Sequence, residues 1–303
     1  MSEYKTPKLV EEFLVRYLKN NKGKSDNTIK NYRCDLNILF KYLMKKKKWD
    51  TIGEKEIKSI TLDDLSIFME YLVNKKNSPA TRCRRVASIK AFFDYLAAKE
   101  ILLKNPTMNL EAPKIPKRLP AYLSLEEAMT LINSVSQDRY TERNKAILTI
   151  FLNCGLRLSE LINIKLPHIK GNILLIPNGK GDKSREVYLN ESTQKAIGEY
   201  MVVRPTTREK TLFISERGNP ISDDAVQSLV KNAIRKAGLD DKKYSTHKLR
   251  HTAATLMFQG GTDIRTLQEL LGHENLSTTE IYTKVSNQQI ADAINNNPLN
   301  RAM

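Results

Sequence analysis

Apolar residues recur every three or four positions through the first hundred residues, the spacing that places them on one face of a helix. Leu9, Phe13 and Tyr17 form the first stripe. Three further stripes have their apolar positions at Tyr32, Leu36, Leu39, Phe40 and Leu43; at Leu65, Phe68, Met69 and Leu72; and at Val86, Ile89, Phe93 and Leu96. Four amphipathic helices are therefore predicted, which is enough for a small helical bundle.

Capping residues predict where three of these helices begin. Ser25 or Asp26 precedes the second helix, and the segment 61–64 has the Thr-x-x-Asp pattern of a capping box before the third. Ser78 precedes the fourth helix, whose first turn accommodates Pro79.

The second half of the chain mixes helical spacing with short β-type runs. Ser124 is a predicted N-cap, and an apolar segment over 146–152 ends at Gly155. Two strands, 173–176 and 186–189, flank a turn-rich segment over 178–183, and this predicts a hairpin. Further elements are predicted as helices over 191–203, 222–237, 247–259 and 263–271 and as a strand over 212–214. The fold class expected is mainly α, with a small antiparallel sheet in the second domain.

A stretch rich in proline and basic residues divides the two halves. Pro106, Pro113, Pro116 and Pro120 lie there without any apolar periodicity, which indicates an extended linker. The predicted boundaries are a helical domain over 1–104, a linker over 105–120 and a second domain over 121–303.

The net charge of the chain indicates the class of partner that it binds. Lys and Arg number 50 against 34 for Asp and Glu, a formal net charge of +16, which favours nucleic-acid binding. The alternatives are a solvated basic surface or a protein that lies on a membrane surface. No apolar run approaches the roughly 20 residues of a membrane-spanning helix, and the N-terminus lacks the apolar stretch of a signal peptide. Scattered cysteines at 34, 83 and 154 favour a reducing cytoplasm, and we expect nucleoid association there.

Basic side chains cluster on the polar faces of two predicted helices and on the linker. We predict that these contact DNA, although charged positions on helices are more often simply solvated. The candidates are Lys30, Arg33, Arg82, Arg84, Arg85, Lys90 and, in the linker, Lys117.

Candidate catalytic residues are concentrated late in the chain. His247 and Arg250 lie three residues apart, on one helix face. His273 and Tyr282 follow, and Arg157 stands upstream, just after a helix end marked by Gly155.

Each residue type has a use in phosphodiester chemistry. Guanidinium groups hold non-bridging oxygens, imidazoles donate hydrogen bonds or move protons, and a tyrosine can form a covalent ester. A lysine at the tip of the hairpin could protonate a leaving oxygen. Fixed charges of this kind stabilise a pentacoordinate phosphorane without a metal ion. Zinc binding by His247 and His251 is the weaker alternative, since no cysteine lies nearby.

Taken in order, these motifs resemble the tyrosine recombinase or phage integrase family, and most closely its Xer-like members. The resemblance covers nearly the whole chain. It rests on the segments 28–32, 105–106, 155–161, 179–181, 247–251, 271–273 and 278–283.

The resemblance implies a role for each matching residue. Arg157 and Arg250 would hold the scissile phosphate, and His247 and His273 would hydrogen-bond it, with His247 accepting the proton of the nucleophile. Tyr282 would attack and remain as a 3′-phosphotyrosyl ester. Lys180 would protonate the 5′-oxygen, with Lys183 as a rival. Because the ester conserves bond energy, no cofactor is expected.

The resemblance also implies an architecture and partners. An N-terminal SAM-like, core-binding bundle and a catalytic domain would form a clamp around a double-stranded DNA recombination site. Four protomers, as a homotetramer or heterotetramer, would pair two sites and exchange strands through a Holliday junction. A sister recombinase or a DNA translocase is a further expected partner, and a membrane is not. A type IB topoisomerase and a DNA-binding regulator that does not cleave stay as alternatives.

Overall fold

The computed structural model describes residues 4–115, 121–136, 140–177 and 184–272. Contacts between Cα atoms divide the chain into two compact units, Met1–Lys117 and Arg118–Met303. Each unit has its own hydrophobic core.

The first unit is a bundle of helices. Helix α1 spans Lys8–Glu11 and continues over Glu12–Asn21 with the wider hydrogen-bond spacing of a π-helix. The other helices are α2 (Asp26–Lys47), α3 (Glu54–Lys58), α4 (Leu62–Asn74) and α5 (Pro79–Ala98). The four predicted helices are confirmed, and α3 is an additional short helix that the apolar spacing did not indicate. Aromatic residues fill the centre of this core, among them Phe13, Phe40, Phe68, Phe92 and Phe93.

The predicted caps of the first unit are confirmed. The side chains of Ser25, Thr61 and Ser78 each accept a hydrogen bond from a backbone N–H of the following turn. Such a cap satisfies one of the backbone donors that a helix start leaves without an intrahelical partner.

The second unit packs seven helices and a small sheet around its own core in the described part of the chain. Its helices are α6 (Leu125–Asn133), α7 (Thr141–Cys154), α8 (Leu158–Ile162), α9 (Glu191–Val203), α10 (Asp223–Lys236), α11 (Thr246–Gln259) and α12 (Ile264–Leu271). Helix α7 is central: of the nine successive residues 144–152, all except Lys145 are buried, and α9 and α11 pack against this helix.

The sheet is antiparallel, with strand order β1-β2-β3. Its strands are β1 (Ile169–Lys170), β2 (Ile173–Ile176) and β3 (Arg185–Tyr188). The pairing of Ile176 with Arg185 confirms the predicted hairpin between β2 and β3. The hairpin tip, 178–183, lies outside the described residues.

The strand predicted over 212–214 is wrong. Leu212, Phe213 and Ile214 are buried, but the backbone there divides its bonds between two partners instead of forming a ladder. Leu212 donates to the carbonyl of Ile164, and Ile214 forms an isolated bridge with Pro220, which has no N–H to extend the pairing. The third strand is β1, upstream of the hairpin. Across the described ranges, no helix is long and apolar enough to cross a membrane.

Candidate active site

Arg157 is positioned by a sharp change of chain direction between two helices. Helix α7 ends at Cys154, and Gly155 follows in the left-handed region with φ of 59°. A Cβ at Gly155 would lie 3.1 Å from Cδ2 of Leu271, so this position favours glycine for its conformation and for its space. The chain then starts α8, with Arg157 at the N-cap position.

Glu160 of α8 holds Arg157 in two ways. One carboxylate oxygen accepts the backbone N–H of Arg157 at 2.7 Å, and the other accepts Nη1 of its guanidinium at 2.7 Å. Nη2 of Arg157 donates to the carbonyl oxygen of Gly272 at 2.9 Å. The side chain remains 30% exposed, so part of it is accessible to a ligand.

Arg250 of α11 also lies close to Glu160, and it is only 4% exposed. Its guanidinium donates to the carbonyl oxygens of Gly155 and Leu271, at 2.7 and 2.5 Å. Nη1 lies 3.7 Å from the carboxylate of Glu160. Two arginines that are far apart in sequence therefore meet at one carboxylate, as a two-arginine phosphate site requires.

The third arginine at this carboxylate is Arg185, the first residue of β3. It donates to both oxygens of Glu160, at 2.8 and 2.9 Å, and its Nε donates to the carbonyl of Leu270 at 2.9 Å. Neither Glu160 nor Arg185 could be assigned a role from the sequence. Glu160 lay inside the quoted segment 155–161, but no local pattern marks Arg185.

The arginines dominate the ionisation of Glu160. Burial alone would raise the pKa of its carboxyl, but hydrogen bonds from Arg185 and from the backbone and side chain of Arg157 outweigh burial and lower the pKa to about 2. Glu160 is thus a permanent anion that fixes three cations.

His247 stands one helical turn before Arg250 on α11. Partial desolvation, and then the positive charges of Arg250, Lys248 and Arg157, lower the pKa of His247. A neutral imidazole is the form that can accept a proton. The ring of His251 lies 4.6 Å from that of His247, edge to face.

The remaining predicted catalytic residues lie outside the described residues. Lys180 and its rival Lys183 belong to the segment between β2 and β3, and His273 and Tyr282 follow the end of α12. Arg157, His247 and Arg250 are thus the predicted catalytic residues that the structure brings together.

The basic residues predicted to contact DNA differ in their surroundings. Lys30 is exposed on α2, whereas Arg33 pairs with Glu11. On α5, Arg84 and Arg85 both face the fully buried Asp35, at 2.5 and 3.5 Å. Arg82 and Lys90 are half-buried, and Lys117 lies outside the described residues.

Within residues 4–115, 121–136, 140–177 and 184–272, no three His, Cys, Asp or Glu side chains group as they would around a metal ion.

Replacement of Glu160 by Gln should lower stability at neutral pH. A carboxyl whose pKa falls from 4.5 to about 2 on folding contributes on the order of 3 kcal/mol above pH 4.5, and loses this contribution as the pH falls toward 2. Urea unfolding of the wild type and Glu160→Gln at pH 7, 5, 4 and 3 should show a difference that shrinks below pH 4.5. The control is Glu186→Gln, on the exposed face of β3. An equal loss at every pH would contradict the argument.

His247 should titrate below the ordinary histidine value of about 6.5 in the free protein. The measurement is an NMR titration of the imidazole protons, in which His247→Gln identifies the resonance by removing it. Because burial is the largest cause, high salt should restore only part of the shift. A pKa at or above the ordinary value would show that the pocket does not keep this ring neutral.

Comparisons with known proteins agree with the fold. The model of the "Phage integrase family" matches residues 121–289, and that of the "Phage integrase, N-terminal SAM-like domain" matches residues 10–100. The tyrosine recombinase XerC of Caldanaerobacter subterraneus subsp. tengcongensis is 46% identical, over 99% of this chain and 90% of the relative. The tyrosine recombinase XerD of Staphylococcus aureus is 32% identical, over 95% of this chain and 97% of the relative.

Solved structures give the same assignment. A XerH site-specific recombinase bound to its difH substrate, in a pre-cleavage complex, is 26% identical with a TM-score of 0.70, over 93% of this chain and 83% of that one. The XerA recombinase is 31% identical with a TM-score of 0.53, over 94% and 97% of the two chains. The resemblance noted in the sequence is confirmed: this chain belongs to the phage integrase family, among the Xer-type tyrosine recombinases.

Proposed function

We propose that this chain is a site-specific DNA recombinase that cuts and rejoins DNA strands through a covalent tyrosine–phosphate ester. The observation that carries the proposal is that Arg157 and Arg250 meet at the carboxylate of Glu160. Arg157 also bonds the carbonyl of Gly272 at the end of α12, and His273 is the next residue in the sequence. Relatives named tyrosine recombinases, similar over nearly the whole chain, support it.

Cleavage begins when Arg157 and Arg250 hold the two non-bridging oxygens of the scissile phosphate. The hydroxyl of Tyr282 attacks the phosphorus, and His247 accepts its proton. The bond from phosphorus to the 5′-oxygen breaks, and Lys180, or Lys183 in its place, protonates that oxygen. His273 donates a hydrogen bond to the phosphate. The enzyme is left joined to the 3′-phosphate, and the other product ends in a 5′-hydroxyl.

Rejoining is the same sequence in reverse. The 5′-hydroxyl of a partner strand attacks the phosphotyrosyl ester, gives its proton to the lysine and displaces Tyr282, which recovers its proton from His247. One phosphodiester bond is broken and one is formed, so the exchange consumes no high-energy cofactor.

We propose that both units contact the DNA duplex. Lys30, Arg33, Arg82, Arg84, Arg85 and Lys90 of the first unit, together with Lys117, would supply the backbone and base contacts. Guanidinium groups suit both phosphate oxygens and the major-groove edge of guanine.

Recombination needs two sites, so we propose that four protomers, alike or paired with a sister recombinase, exchange strands through a Holliday junction. The same chemistry serves the resolution of chromosome or plasmid dimers and the movement of mobile elements. A DNA translocase is a further partner in the first of these roles. Mapping the DNA sites that the protein occupies in its host cell separates dimer resolution from the movement of mobile elements.

Tyr282→Phe should abolish covalent attachment to DNA. The substrate is a nicked duplex carrying a site selected by the wild-type protein from random sequences, so that the released fragment diffuses away and the adduct accumulates. A labelled strand should shift on a denaturing gel with the wild type, and protease should reverse the shift. The matched control is Tyr188→Phe, an exposed tyrosine of β3, which should cleave normally.

Two outcomes, one from this experiment and one from a plasmid recombination assay, contradict the proposal. An adduct that survives in Tyr282→Phe assigns the nucleophile elsewhere. Plasmids that carry two sites and become relaxed, with no recombinant product, indicate a topoisomerase instead.

Lys180→Ala should stop cleavage of an ordinary phosphodiester but not of one whose bridging 5′-oxygen is replaced by sulfur. A thiolate departs without protonation, since thiols are far more acidic than alcohols, and so the general acid becomes dispensable. Lys183→Ala is the control and should cleave both substrates. The reverse pattern, with rescue of Lys183→Ala alone, transfers the role to Lys183.

A further inference from the structure

The last three carbonyls of the described chain each accept a hydrogen bond from a different arginine. Leu270 receives Nε of Arg185, Leu271 receives Nη2 of Arg250, and Gly272 receives Nη2 of Arg157. Carbonyls at a helix C-terminus lack intrahelical partners and carry the negative end of the helix dipole. The end of α12 therefore fixes three cations along one backbone segment.

Arg185 differs from the other two arginines in its position. It is 12% exposed, less than Arg157, and it approaches from the sheet rather than from a helix of the site. Its two parallel hydrogen bonds to Glu160 form a fork-to-carboxylate pair, the arrangement in which an arginine restricts a carboxylate most strongly.

Close packing against α12 reinforces this position. Gly272 has a left-handed φ of 61°, and a Cβ there would lie 3.3 Å from Nη1 of Arg185. A side chain at position 272 would crowd the guanidinium, so α12 and β3 meet closely at Arg185.

We propose that Arg185 is a positioning residue for phosphate binding, which acts through Glu160 on the guanidinium of Arg157. Glu160 has two oxygens, and Arg157 bonds to the one that Arg185 also takes through Nη1. With Arg185 present, the plane of the carboxylate is fixed by the sheet, and Arg157 is oriented by a rigid partner.

Removal of Arg185 changes the orientation of the Glu160 carboxylate and the net charge of the site. Glu160 becomes free to turn toward Arg157 and Arg250, and so competes with a phosphate for their donors. The site also loses one positive charge. Both changes weaken the hold on a charged phosphate specifically, rather than the folding of the unit as a whole.

This inference rests on the proposed function, and its test starts from the selected nicked duplex that wild-type protein cleaves through Tyr282. Two forms of that duplex are compared. One has the ordinary phosphate at the mapped cleavage position, and the other has a methylphosphonate, in which a methyl group replaces a non-bridging oxygen and removes the negative charge. The variants are Arg185→Gln and Arg185→Lys.

Arg204→Gln is the matched control. Arg204 also lies in the second unit and makes three hydrogen bonds through its guanidinium, but all of them go to backbone carbonyls, those of Glu209, Thr211 and Leu212. The cleavage rates of Arg204→Gln therefore show the effect of losing an arginine that has only a structural role. Thermal unfolding and DNA affinity are measured for every variant.

At saturating protein, Arg185→Gln should cleave the ordinary phosphate on the order of 100-fold more slowly, the cost of displacing a reacting group by about 1 Å. The methylphosphonate should be slowed at least tenfold less, because a neutral centre depends less on the arginine pair. Arg185→Lys keeps the charge without the fork and should fall between wild type and Gln. Arg204→Gln should leave the ratio of the two rates unchanged.

Equal slowing of the two substrates by Arg185→Gln, or a ratio matched by Arg204→Gln, overturns the positioning role. If Arg185→Gln does not fold, the ratio for Arg185→Lys decides in the same way. A wild-type protein that forms no adduct at Tyr282 with either substrate overturns the proposed function itself, and the inference falls with it. Cleavage by wild type with an unchanged ratio in the variants rejects the inference alone.

Discussion

The buried carboxylate of Glu160 is the interaction on which the candidate site depends. Two like charges 4 Å apart repel by about 4 kcal/mol at an effective dielectric constant of 20. Arg157, Arg185 and Arg250 converge in a largely buried space, where the carboxylate of Glu160 between them offsets their mutual repulsion. Because the pKa of Glu160 is lowered to about 2, this anion is present at neutral pH.

The remaining charge has a consequence for catalysis. Three guanidiniums and one carboxylate leave a formal excess of two positive charges among the described residues of the site. A phosphodiester carries one negative charge, whereas a phosphorane formed by attack of a deprotonated tyrosine carries two. Under the proposed mechanism, this excess matches the charge of the phosphorane better than that of the bound phosphodiester, as stabilisation of the transition state requires.

Local features of this arrangement could be predicted from the sequence, and the long-range ones could not. Ser25, Thr61, Ser78 and Ser124 marked helix starts because a cap is recognised from the few residues that follow it. Helix α9 was predicted with its observed bounds, Glu191–Val203. The strand predicted over 212–214 was wrong because the apolar composition of this segment indicates burial, whereas strand pairing depends on neighbours distant in the chain.

The role of Arg185 could not be predicted from the sequence for a related reason. Its partners are Glu160 and Leu270, and the second of these is 85 residues away. An arginine at the start of a strand carries no periodic or capping signal, and the same residue type occurs at many solvated positions. Arg157 and Arg250 were found only because an ordered set of motifs surrounded them, and no equivalent motif surrounds Arg185.

The first unit contains a similar arrangement with different residues: a buried carboxylate that holds arginine side chains. Asp35 of α2 is fully buried and accepts hydrogen bonds from Arg84 and from Ser88 of α5, while Arg85 lies 3.5 Å away. An arginine side chain carries about 2 kcal/mol of rotamer entropy, which must be lost whenever it binds in one orientation. A carboxylate beneath the guanidiniums removes that freedom during folding, before any ligand arrives. In both units the acidic residue lowers the net positive charge of its cluster, but it leaves the accessible arginines already oriented, so that a phosphate bound there would lose less side-chain entropy from the protein.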